Sequence, residues 1–322
     1  MTDLRFELAR PDISNWRSGN TGTEGVWHFD SGLPGRQVMV TSLIHGNELC
    51  GAWAVKGLLE AGLRPQRGSL TLAFCHLAAF DRFDPAAFDA SRSVDEDLNR
   101  QWSPERLADA RTLERCRALE LLPFVQRTDW LLDLHSMHEP GAPLLLTGPH
   151  ARNLDLARRL RAPEHVVVDK GHRDGTRLRD FGRFGLPDLQ AGDTRSLLVE
   201  CGFHGDTSSR DVALDVSVRF LVEAAVIDAA TAAALLVGWR RPDPGRQCAL
   251  YVTGGVTARS AGFRFFQTFA DLQVIERAGT PIGDNDGEVV TTPYDHCVLV
   301  MPSVRQARAG VTVVRFAREQ PL

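Results

Sequence analysis

With 322 residues, 43% of them hydrophobic, the chain is long enough for one enlarged α/β domain or for two domains, each with a packed core. A formal net charge of -4 and a pI near 6.2 give no electrostatic reason to expect nucleic acid or an anionic membrane surface as a partner. Only Lys56 and Lys170 are lysine among 37 basic residues, so guanidinium groups carry almost all the positive charge. Genome composition accounts for most of that bias, but individual arginines are the better grip for carboxylates.

Residues 1–24 are polar, Gly-rich toward their end, and read as a lead-in segment. Met1-Thr2-Asp3-Leu4-Arg5 lacks the basic start and apolar core of a signal peptide, and no stretch approaches the ~18 uninterrupted apolar residues of a membrane span. Six cysteines lie at 50, 75, 116, 201, 248 and 297 without a CxxC pair, a pattern of reduced, buried thiols. Together these predict a cytoplasmic protein.

Residues 25–29 predict a first strand and 38–44 a buried second one, which runs into the polar corner His45-Gly46-Asn47-Glu48 and then a helix over 49–61 ending at Gly62. Gly46 and Asn47 suit the unusual backbone angles expected of such a corner. A His and a Glu three positions apart here can face one centre, and imidazole nitrogen with carboxylate oxygen is a pairing that suits zinc. Taken alone, the spacing fits a polar helix cap with a satisfied histidine better than a metal site.

Residues 69–75 read as the next strand, and some twenty irregular residues follow, a length more typical of a functional loop than of filler. Ser103, with Pro104 behind it, caps a helix predicted to run to about Leu122. Trp130-Leu131-Leu132-Asp133-Leu134-His135 is a strongly apolar strand with an Asp and a His at its exit. Strands over 144–147 and 165–168 flank a helix over 153–161, and 170–193 is irregular. Residues 196–202 form a buried-looking strand carrying Glu200, and a long helix over 209–237 follows. This alternation predicts an α/β fold whose mixed, largely parallel sheet is flanked by helices over residues 1–241. Gly- and Pro-punctuated runs over 246–322 predict a small all-β domain of barrel or sandwich type.

Ligands of open α/β sheets gather at the carboxyl ends of the strands, and three predicted strands end on His45, His135 and Glu200. Two imidazoles and one carboxylate leave a fourth zinc position for water, and a second carboxylate beside that water can act as base.

His45-Gly46-Asn47-Glu48, Asp97-Leu98-Asn99-Arg100, Asp133-Leu134-His135-Ser136 and Val199-Glu200-Cys201-Gly202, in that order, resemble the zinc-dependent succinylglutamate desuccinylase and aspartoacylase family, itself related to zinc carboxypeptidases. The resemblance implies a zinc-carboxypeptidase-like fold with one Zn2+ per chain, bound by His45, Glu48 and His135, with Glu200 as general base. It further implies that Arg92 polarises the scissile carbonyl and that Asn99 and Arg100 hold a substrate carboxylate. Members also carry a C-terminal β addition that can narrow the mouth of the site. Here, 279–283 and 292–295 resemble a barrel-sandwich hammerhead, and the absence of Lys from 246–322 excludes a lipoyl or biotinyl carrier.

Other residues admit two readings. His172, Arg177 and Arg179 could touch the substrate or be solvated surface charges. Asp133 could orient His135, because residues two apart on a strand share a face, or be an ordinary strand-end polar group. His138 and His204 lie near two site segments. Ser136 has no GxSxG elbow around it, and Cys201 reads as core packing rather than as a nucleophile. Only Tyr251 and Tyr294 are tyrosine, both in the C-terminal part, which lowers the carboxypeptidase reading. The expectation is an amidohydrolase acting on a small N-acyl amino acid. The alternatives are a metallocarboxypeptidase acting on peptide C-termini and a catalytically silent binding protein. Oligomeric state does not follow from the residues.

Overall fold

A computed structural model describes residues 5–171 and 175–322. The sheet begins with β1 (Val26–Asp30) and β2 (Gln37–Ser42), followed by helix α1 (Leu49–Glu60) and β3 (Ser69–Phe74). The expected irregular stretch holds a short α2 (Leu77–Phe80) and 3-10 turns over Pro85–Ser91 and Leu98–Arg100. One long helix was expected after Ser103. Instead, α3 (Pro104–Ala108) stops and α4 (Leu113–Arg127) starts afresh, because Thr112 adopts an extended conformation and its side chain accepts the Arg115 N–H as a new N-cap.

The chain continues through β4 (Trp130–Met137), β5 (Leu144–Leu146), α5 (Ala151–Leu160), β6 (His165–Val168), α6 (Asp188–Ala191) and β7 (Arg195–Phe203). The long helix expected over 209–237 is two, α7 (Thr207–Glu223) and α8 (Ala229–Leu235). Ala225 takes a left-handed φ of 58° between them, and Asp228 caps the second by accepting the Thr231 N–H. The remaining strands are β8 (Cys248–Thr257), β9 (Arg264–Phe265), β10 (Gln273–Ile275), β11 (Pro281–Asn285), β12 (Glu288–Thr291), β13 (Cys297–Val300) and β14 (Thr312–Pro321).

Eleven strands form one mixed sheet in the order β1-β3-β2-β4-β7-β5-β6-β8-β14-β13-β10, and β12-β11-β9 form a second, three-stranded one. The centre, β3-β2-β4-β7, is parallel, and both faces of these strands are buried, as their near-continuous apolar runs require. Because β8 pairs in parallel with β6, the main sheet runs on into the C-terminal β region. Alternation on β4 sends Leu132 and Leu134 into the core shared with α1 and α7, while Leu131 packs into a second core that includes Ala118 and Leu121 of α4. Asp133 and His135 share the Leu131 face, so the polar exit of β4 opens on the side of α4 and the 91–102 loop.

Among the described residues, no helix is long and apolar enough to cross a membrane. Five of the six cysteines are buried, and all six are free.

Candidate active site

The β2–α1 corner is built from close packing more than from special angles. The residue with a positive φ is Leu43, at 53°, not Gly46 or Asn47. Gly46 is needed because a Cβ there would lie 2.3 Å from the Ala79 carbonyl carbon, 2.4 Å from the Phe80 nitrogen and 2.5 Å from the Ser91 oxygen. This wedged corner carries His45 and Glu48, both almost wholly buried.

β4 delivers His135 to the same point. The candidate ligand atoms of His45, Glu48 and His135 lie within 4.8 Å of one another. Nδ1 of each imidazole is 2.7 Å from one oxygen of Glu48, His45 at Oε1 and His135 at Oε2. The other ring nitrogens face further carboxylates, Asp97 Oδ1 at 2.9 Å from His45 Nε2 and Asp133 Oδ2 at 2.9 Å from His135 Nε2. Thr41 Oγ1 donates to Asp133 Oδ1 over 2.7 Å and so turns Oδ2 toward the ring.

This arrangement fits a divalent cation. Glu48 Oε2, His135 Nε2 and Asp133 Oδ2 are buried without a properly aligned hydrogen bond, despite their short distances to one another's partners. A divalent ion held by His45, Glu48 and His135 would give Glu48 Oε2 the partner it lacks. Carboxylates behind both imidazoles fix their orientation and raise their basicity, the usual support of a histidine–metal site. Burial pushes the Glu48 carboxyl up, but the His45 and His135 rings outweigh it and hold the group well below the usual carboxylate range. For His135, burial pushes the ring down, and Asp133 and Glu48 pull it well above the ordinary value.

Glu200 stands directly opposite His135 in the parallel β4–β7 register, so its side chain lies on the same face. Burial pushes its carboxyl up to about 8; His135 opposes that shift and Glu48 adds to it. Its Oε2 is buried without a hydrogen-bond partner. Arg92 closes the other side, with Nη1 3.4 Å from Glu48 Oε1 and Nη2 3.1 Å from Asp97 Oδ2. Asn99 accepts the Leu178 N–H at Oδ1 over 2.9 Å, and Arg100 Nη1 donates to the Asn99 carbonyl over 3.1 Å.

Arg177 and Arg179 are both buried, not solvated. Arg177 grips Asp169 with both terminal nitrogens and Asp180 with Nε, while Arg179 donates to the Thr147 carbonyl over 2.6 Å. His172 lies outside the described residues. His204 is buried with Nδ1 2.8 Å from Ser136 Oγ, on the strand face opposite His135, and its ring centroid is 6.3 Å from that of His138. Ser136 thus has a structural partner, and burial raises the Cys201 thiol well above its ordinary value. The Tyr294 hydroxyl is 2.7 Å from Thr253 Oγ1. Asp97, in the Asp97-Leu98-Asn99-Arg100 motif, holds both His45 and Arg92. Its neighbour Arg92 in an irregular loop was the one clue, since loops carry no periodicity from which contacts can be read.

Fold and site together define a mixed α/β protein with a candidate metal centre at the carboxyl ends of its parallel strands. Residues 34–186 match the model of the Succinylglutamate desuccinylase/Aspartoacylase catalytic domain. Among solved structures it resembles a succinylglutamate desuccinylase from Vibrio parahaemolyticus, with 15% identity, TM-score 0.65, and 92% of this chain and 86% of that one covered. A succinylglutamate desuccinylase/aspartoacylase from Rhodobacter sphaeroides is similar over 100% of this chain and 99% of its own, with 18% identity and TM-score 0.63. The product-bound ectoine utilization protein EutE (DoeB) from Ruegeria pomeroyi shares 16% identity and TM-score 0.58 over 91% of this chain and 95% of its own. These likenesses establish the shared fold. No curated protein sequence matches the chain.

Proposed function

We propose that the protein is a zinc-dependent amidohydrolase that removes the acyl group from a small N-acyl amino acid. The observation that carries this reading is the meeting of two imidazoles and one carboxylate, each imidazole backed by a further carboxylate, with Glu200 opposite and Arg92 alongside. His45, Glu48 and His135 would hold the ion, which when bound supplies Lewis-acid polarisation of water and of the acyl carbonyl.

The other steps fall to the chain's own side chains. Glu200 takes the proton of the attacking water on a carboxylate oxygen and passes it to the departing amine nitrogen; a group pushed toward neutrality by burial is suited to both halves of that transfer. Arg92 sets its guanidinium against the negative charge that develops on the carbonyl oxygen. Arg100, positioned with Asn99, receives the free carboxylate of the substrate.

The chain then divides into a catalytic part, 1–241, and a β part, 246–322, that touches it through Arg305. Arg305 Nε bonds Glu139 Oε1 over 2.8 Å, four residues beyond His135. The chain's two tyrosines both lie in the β part, with Tyr294 bonded to Thr253, which sets this reading against the carboxypeptidase alternative. Metal analysis of the purified protein, followed by a panel of N-acetyl and N-succinyl amino acids and peptides, tests it. Near-stoichiometric zinc with release of free amino acid is expected. Metal-free protein without turnover, or faster cleavage of long peptides, would overturn it.

A further inference from the structure

Outside the ligand set, the most heavily bonded buried carboxylate among the described residues is Glu114, in the first turn of α4, whose side chain is 0% exposed. It accepts three consecutive backbone N–H groups: Val94 over 2.7 Å, Asp95 over 3.1 and 3.2 Å, and Glu96 over 3.1 Å. His76 Nε2 adds a fourth contact at 2.8 Å. The same helical turn grips the loop's own side chains. Thr112 Oγ1 donates to Glu96 over 2.6 Å, Arg115 holds both oxygens of Glu96 at 2.9 Å, and the Leu113 N–H donates to Asp95 over 3.0 Å.

Each side of this contact needs the other. Consecutive N–H groups in a buried loop have no ladder to join and are costly to leave unmatched, and a buried carboxylate is costly unless several donors surround it. Three convergent amides form an anion nest, and the start of a helix favours the negative charge. The clamped residues lie directly between Arg92 and Asp97, the two side chains that reach into the ligand set. On the far side the loop is tied to the ligand corner by the Gly46 N–H donating to the Arg92 carbonyl over 3.1 Å.

We propose that Glu114 is a positioning residue: through the 94–96 backbone it sets Arg92 and Asp97 against Glu48 and His45, and so governs charge stabilisation in the site. This rests on the role given to Arg92 above. A displacement of about 1 Å at a catalytic group can cost on the order of 10²-fold in rate.

Glu114→Gln keeps the shape but replaces one oxygen with an amide NH2 that cannot accept an N–H. With an N-acyl amino acid that the wild type hydrolyses, kcat is expected to fall by about 10- to 100-fold with KM changed far less. In an Arg92→Ala background the same change should cost several-fold less, since only the route through Asp97 remains and coupled residues are not additive. An equal loss in both backgrounds overturns the proposal. Amide hydrogen exchange is read on the same samples. Faster exchange at Val94, Asp95 and Glu96 with α4 still protected supports the clamp, and unchanged exchange there overturns it. A wild type without amidohydrolase activity would sink the functional reading and leave exchange to decide the clamp. Should Glu114→Gln fail to fold, Glu114→Asp, which keeps the charge and withdraws it by one methylene, is read in the same way.

Discussion

Gly46→Ala is the most direct probe of how the ligand corner is held. The added Cβ would meet backbone atoms on two sides, Ala79 and Phe80 at 2.3 and 2.4 Å and the Ser91 oxygen at 2.5 Å, where ordinary contact begins at 3.4 Å. Relief requires a shift of roughly 1 Å, and no flexible side-chain end is there to give way. If the 79–91 side yields, Ser91 carries Arg92 with it; if the corner yields, His45 and Glu48 move apart from His135. Overpacking of this kind costs about 1–3 kcal/mol or more, and a shift of that size at the site costs on the order of 10²-fold in kcat/KM. Thermal unfolding, zinc content and hydrolysis would be measured beside Gly245→Ala, where a Cβ meets nothing within 4 Å. If Gly46→Ala matched the wild type in melting temperature and kcat/KM, close packing would not be what holds the corner.

Glu200→Gln should keep zinc bound and lower kcat by about 10²–10⁴-fold; comparable turnover would remove Glu200 from the proton-transfer role. Asp133→Asn, which weakens the support behind the His135 ring, should lower zinc affinity by about 10- to 100-fold in a chelator competition, and an unchanged affinity would refute that support. Arg100→Lys should chiefly raise KM, by roughly tenfold, the worth of one charge-assisted hydrogen bond; a fall in kcat alone would show that the substrate carboxylate docks elsewhere. Burial pushes the Glu114 carboxyl up, but the His76 ring and the amides of Val94 and Glu96 hold it down to about 2 from 4.5. A lowered folded-state pKa stabilises fully above 4.5 and is lost as the pH falls toward 2, so wild type should lose about 3 kcal/mol more stability across that window than Glu114→Gln does. Parallel acid-unfolding curves for the two proteins would contradict this.

Much of the centre was legible from local pattern. The runs 38–44, 69–75, 130–135 and 196–202 are too apolar and too short to be anything but buried strands, and polar residues at strand exits mark the ligand end of an α/β sheet. His45, Glu48, His135 and Glu200 could be named because each sits within or just beyond such a run. Helix breaks were harder to see. Thr112 and Asp228 start new helices by capping, and an N-cap inside an otherwise helical composition competes with continuation on terms of about 1 kcal/mol, which composition alone does not settle.

What the residues set out without help was the donor chemistry gathered at the strand ends, because residue type and strand-end position are both written locally. Only the tertiary structure decided how that chemistry is held. Asp97 behind His45, Arg177 locked between Asp169 and Asp180, and Glu114 beneath the 94–96 amides join residues from 3 to 52 positions apart. Such contacts arise from buried charges that must find partners wherever the chain brings them, and a loop has no repeat that announces which partner that will be.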